Sequence, residues 1–112
     1  MLYQTISAFF AALTHANIQF PKILDKPLSW IFVTPHFHKI HHHYVLPQTD
    51  ANYGNIFSIW DHVFSTAIHM EMKDLNYGID THMDRSEHSD IKKLLMIPFQ
   101  DYRSPVGSKF NE

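Results

Sequence analysis

"TPHFHKIHHHY", Thr34–Tyr44, carries five of the ten histidines in this chain of 112 residues. Its opening reads as a helix start. Thr34 can accept a hydrogen bond from an orphan backbone N–H, and Pro35 falls at the first helical position, where a missing N–H costs nothing. A helix over 34–44 follows, closed off before Pro47. On a helix each residue turns by about 100°, so His38, His41 and His42 share one face as H-x-x-H-H. His36 and His43 fall on roughly the opposite side. Imidazoles crowded on one face repel one another when protonated and are costly to bury unless they share a cation. The face therefore reads as a metal site. His36, His43, His62, His69, His82 and His88 read instead as surface or hydrogen-bonded histidines.

Composition narrows the chemistry. The absence of cysteine excludes disulfides, thiolate zinc fingers, iron–sulfur ligation and cysteine nucleophiles, leaving histidine and carboxylate to hold metal. Imidazole suits zinc, copper, iron and nickel alike. No glutamate stands among the face histidines as the general base of a helical zinc protease, and the Glu-x-x-His pattern of carboxylate-bridged bundles is missing. A net charge of −2 gives no overall positive field for nucleic acid. With 45% hydrophobic residues the chain is too apolar to be disordered.

Outward from the histidines, Leu2, Ile6, Phe9, Phe10 and Leu13 recur at helical spacing, predicting the end of a hydrophobic helix over 1–14. Its apolar run "ISAFFAAL" is about half the length of a membrane span. The abrupt apolar start, without a polar lead-in, suggests a C-terminal piece of a longer protein. Pro21 and Pro27 break the next stretch, and "LSWIFV" reads as a buried strand or an interfacial helix. An amphipathic helix is predicted over 55–66, with Ile56, Ile59, Trp60 and Val63 on one face and Phe57 and Phe64 widening it toward the histidine helix. "NYGID" suggests a brief extended piece and "HMDRSEHSD" a loop. "DIKKLLMI" reads as a short helix with Asp90 near its start, and 100–112 as a loosely ordered tail. The fold class is all-α, in one domain.

Taken together, "TPHFHKIHH", "NYGNIFSIWDHVFST" and the earlier "HANI" resemble the sterol desaturase / fatty acid hydroxylase superfamily, integral membrane enzymes with a histidine-rich di-iron site. The family's last cluster, T-P-x-x-H-x-x-H-H, matches Thr34, Pro35, His38, His41 and His42. Its N-Y-G matches Asn52, Tyr53 and Gly54, and its W-D-x-x-F-G-T matches Trp60, Asp61, Phe64 and Thr66, with Ser65 in place of the glycine. Tyr77–Gly78 and Pro98–Phe99 complete the series.

The resemblance implies short helices forming the cytosolic metal-site cap of a helical membrane enzyme. It adds His15, through an H-x-N motif, to His38, His41 and His42 as iron ligands. Asp61 is then the acceptor for a ligand's far N–H, with a helix-surface ion pair as the alternative. Two irons reducing O2 would hydroxylate or desaturate a lipid with electrons from an external donor. The family's earlier clusters, H-x-x-x-H and H-x-x-H-H, are missing from the chain, so it should not complete a di-iron centre alone. Two other readings stand beside this one: a non-catalytic module in which the histidines hold structural zinc, and an amphipathic membrane-surface domain without metal.

Overall fold

The structure is a computed structural model and describes residues 1–104. Six helices follow in order: α1 Leu2–His15, α2 Lys22–Leu28, α3 Pro35–His41, α4 Ile59–Val63, α5 Arg85–His88 and α6 Ile91–Met96, joined by loops and short 3₁₀ turns. The described residues contain no β-strand, only two isolated antiparallel bridges, Phe32 to Phe57 and His43 to Tyr77. The all-α expectation stands. No helix among them is long and apolar enough to cross a membrane. Residues 105–112, most of the expected tail, lie outside the described part.

The organising element is α3. Thr34 caps it, its Oγ1 accepting from Phe37 N at 3.2 Å, with Pro35 in the first turn. Phe37 and Ile40 project from one side and, with Val33 and Ala51, make a small fully buried core. The C-terminal half of α1 lies against α3 and delivers His15 to the opposite side. Around the apolar core sits a shell of buried polar groups, among them Asp25, His43, Asn52, Ser58 and Asp61. Buried polar groups must be hydrogen-bonded, so this shell determines how the loops dock.

Several elements differ from their sequence reading. "LSWIFV" is neither strand nor helix: Leu28 ends α2, a turn follows, Phe32 forms its single bridge and, of its apolar residues, only Val33 is buried. The amphipathic helix, α4, is five residues, Ile59–Val63, within the expected 55–66. Phe57 is held extended by its bridge, and Ser58 Oγ donates to Ser29 O at 2.7 Å, so the chain straightens before the helix can begin. At its other end Ser65 takes φ 59°, Ser65 N donates to His62 O at 3.3 Å and Thr66 N to Asp61 O at 2.8 Å. These two bonds make a Schellman motif with Ser65 at its left-handed position, where glycine is the usual choice.

The apolar face of α4 does not pack on the histidine helix as expected. Trp60 and Phe64 are 59% and 71% exposed. Within the "HMDRSEHSD" stretch, Asp84 accepts from Ser86 N at 2.8 Å and starts α5, a turn of helix where a loop was expected. Asp90 caps α6 in the same way, accepting from Lys92 N at 2.9 Å, as its position suggested.

Candidate metal centre

His15 lies in the last turn of α1, and His38 and His42 are one turn apart on and just after α3. Their rings converge tip to tip. The Nε2 atoms of His38 and His15 are 3.3 Å apart, those of His42 and His15 3.2 Å, and those of His42 and His38 3.2 Å. Three imidazole nitrogens bound to one ion at about 2.1 Å stand about 3.0 Å apart if mutually perpendicular, and about 3.4 Å apart in a tetrahedron. The near-equilateral triangle lies between these limits. It is the one grouping of three or more His, Cys, Asp or Glu with metal-ligand geometry among the described residues.

The tautomer of His15 supports the convergence. A carbonyl only accepts, so the contact of His15 Nδ1 with Ala11 O at 2.8 Å places the ring proton on Nδ1 and leaves the Nε2 lone pair facing the triangle. His38 Nδ1 is buried without a protein partner, so no hydrogen bond selects the tautomer of that ring. Burial chiefly, and then the charges of His15, His42 and His41, pull the His38 pKa down to about 4. His42 is lowered as well, by burial first and then by His15 and His41. Both rings are therefore neutral at physiological pH, the form that binds metal.

His41 does not join the triangle. From His38, His42 is rotated by only about 40° around the helix while His41 falls about 60° to the other side. Its ring stays beside the others, with centroids 5.9 Å from His38 and 5.5 Å from His42. Its Nδ1 donates to Ala51 O at 2.8 Å, leaving Nε2 unprotonated in the neutral ring. The single H-x-x-H-H face of the sequence thus offers two ligand directions.

Asp61 does not accept from a histidine as expected. It is 3% exposed, and its Oδ1 accepts from Tyr53 N and Thr66 Oγ1, both at 2.8 Å, while Oδ2 accepts from Gly54 N at 2.9 Å. From the start of α4 the carboxylate meets the N–H groups of the loop 53–54 instead. Nor is Asp61 a surface ion pair. Gly54 is required here because a Cβ would stand 2.6 Å from Phe57 O and 2.9 Å from Asp61 Oδ2.

Asn52 reaches further than its place in the N-Y-G match conveys. At φ 52° and fully buried, its Nδ2 donates to Phe37 O at 2.8 Å and Ile68 O at 3.0 Å, while Oδ1 accepts from Ile68 N at 2.8 Å. It fastens the loop directly to the middle of α3. The N-Y-G motif was the signal for it.

The remaining histidines near α3 are engaged elsewhere. His36 Nδ1 meets Asp25 Oδ2 at 3.1 Å and Nε2 meets Met70 O at 2.8 Å, while His43 Nδ1 accepts from Asn76 N at 3.2 Å. His62 stacks on Trp30 at 4.2 Å, and its Nε2 meets Ser29 O at 3.1 Å.

Comparison with known proteins adds the following. The model of the fatty acid hydroxylase family matches residues 1–66, which contain all four candidate ligands. The chain is 39% identical over 61 residues to ornithine lipid hydroxylase OlsE of Rhizobium tropici, covering 54% of this chain and 18% of that protein. It is 45% identical over 40 residues to alkylglycerol monooxygenase of Caenorhabditis elegans, covering 36% of the chain and 8% of that protein. The Xenopus tropicalis alkylglycerol monooxygenase is 41% identical over 53 residues, covering 47% and 12%. The aligned part thus spans less than a fifth of each of these relatives. No solved structure matches.

Proposed function

The chain belongs to the fatty acid hydroxylase family, and from that premise we propose that it forms part of an O2-dependent di-iron enzyme that hydroxylates or desaturates a lipid. The observation that carries the reading is the triangle of Nε2 atoms at 3.2–3.3 Å from His15, His38 and His42. Iron fits this donor set: three imidazoles in a facial arrangement, with one side open because His15 and His42 are exposed. Bound there, iron would supply the activation of O2 and the cleavage of an unactivated C–H bond.

The chain's own residues do the rest. His15 is held through Ala11, and α3 keeps His38 and His42 one turn apart, so the donors are oriented before an ion arrives. His41 presents a further donor beside the triangle, for a second ion. Four histidines are too few for two irons, so this part holds an incomplete centre and is inactive by itself. A lipid substrate accords with the relatives' names, an ornithine lipid hydroxylase and alkylglycerol monooxygenases. The exposed apolar side chains of α1, Leu2, Tyr3 and Phe9, suit a membrane location. Electrons would come from an external donor.

Structural zinc is the weaker reading, because such sites are closed around the ion by four ligands, whereas this triangle, with His15 and His42 exposed, is open on one side. Lipid analysis by mass spectrometry, in cells expressing the complete di-iron enzyme that contains this part, with and without His38→Ala, tests the proposal. A hydroxylated or desaturated lipid should vanish with the substitution. A product that survives it would remove the triangle from the chemistry.

A further inference from the structure

Asp61 touches no histidine, yet its hydrogen bonds converge on the loop that holds one. Three consecutive peptide groups of that loop are pinned by two side-by-side anchors. The N–H of the Ala51–Asn52 peptide donates to Thr66 O at 3.0 Å, and the carbonyl of the same peptide accepts from His41 Nδ1 at 2.8 Å. The next two peptide N–H groups, Tyr53 and Gly54, donate to the two oxygens of Asp61. Thr66 Oγ1 closes the arrangement on Asp61 Oδ1, so the carboxylate ties both anchors together.

A carbonyl held this rigidly selects one histidine tautomer, because only a protonated Nδ1 can bond to it. We infer that Asp61, with Thr66, is a positioning residue for His41, acting through the Ala51 carbonyl to make Nε2 the ring nitrogen that His41 offers. A carboxylate suits the task and an amide does not. Both oxygens of Asp61 accept from N–H donors, and an asparagine would turn an NH2 group toward Tyr53 N or Gly54 N. Nothing here depends on direct contact with a metal. The consequence for metal binding rests on the proposed iron site, whereas the tautomer itself is a property of the metal-free chain.

Nitrogen-15 NMR of the imidazoles in the metal-free 112-residue chain tests this. Wild-type His41 should show one dominant tautomer with Nδ1 protonated. Asp61→Asn should lower that preference by about tenfold, the scale of one hydrogen bond, and leave the signals of His15, His38 and His42 in place. Co2+ titration should still find the triangle with unchanged affinity. Where Asp61→Asn fails to fold, Thr66→Val decides, since it removes one donor to the carboxylate. It should shift His41 in the same sense, and Thr66→Ser should restore it. The inference is overturned if His41 keeps its wild-type tautomer in a folded Asp61→Asn or Thr66→Val chain. It is equally overturned if all four histidines change together, because a merely structural part would act on them alike.

Discussion

The two sides of α3 carry the same residue type to opposite ends. On one side His38 and His42 aim Nε2 at the Nε2 of His15, with no acceptor within the triangle. On the other, both ring nitrogens of His36 meet oxygen, one on Asp25 and one on Met70, and His43 is locked to the Asn76 backbone. A histidine whose nitrogens are already engaged is structural. One whose free nitrogen faces other free nitrogens is a candidate ligand. Hydrogen-bond accounting, more than proximity, separates the two.

The sharpest way to break this contrast is to exchange the losses. His38→Ala should reduce Co2+ affinity at least about 100-fold, since a tridentate site becomes bidentate, with little change in melting temperature. His36→Ala should leave Co2+ affinity within about twofold but destabilise the chain by about 1–3 kcal/mol, the cost of stripping a buried carboxylate of its partner. Isothermal titration and thermal melting of both variants check the pair. Equal effects on metal binding would dissolve the distinction between the two sides.

A smaller effect follows from acidity. The folded chain lowers His38 from 6.5 to about 4, so it binds fewer protons than the unfolded chain in that window. Stability conferred by the neutral ring is present above pH 6.5, falls as pH drops from 6.5 toward 4, and is lost below. Melting temperatures of the metal-free chain should decline across that interval, and His38→Ala should flatten the decline. A Co2+-loaded chain should resist it until protons displace the ion.

The smallest effect belongs to a residue in neither histidine set. Ser65 holds φ 59° at the end of α4, where a side chain is strained and glycine is not. Ser65→Gly should stabilise the chain by about 0.5–1 kcal/mol in chemical denaturation while leaving Co2+ affinity unchanged. A change in affinity would mean that the α4 turn bears on the triangle.

Local physics made much of this legible. The Thr34–Pro35 start, the 3.6-residue period and the crowding of imidazoles identified α3 and its candidate ligands His38 and His42, because capping and helical spacing act over a few residues. Asp84 shows the same physics overlooked: a cap three residues before Glu87 was read as loop. What distance along the chain separates, tertiary structure had to bring together. His15 joins His38 and His42 only because α1 packs on α3, across 23 residues. His41 stays off their triangle by its turn around the helix and is held there by the Ala51 carbonyl at its Nδ1, while Asp61 gives its oxygens to the N–H groups of Tyr53 and Gly54 rather than to a histidine. Residue type and spacing determined which groups could bind metal. Which nitrogen His41 offers was decided by the Ala51 carbonyl, ten residues further along the chain, since a ring proton goes wherever an acceptor is fixed to receive it.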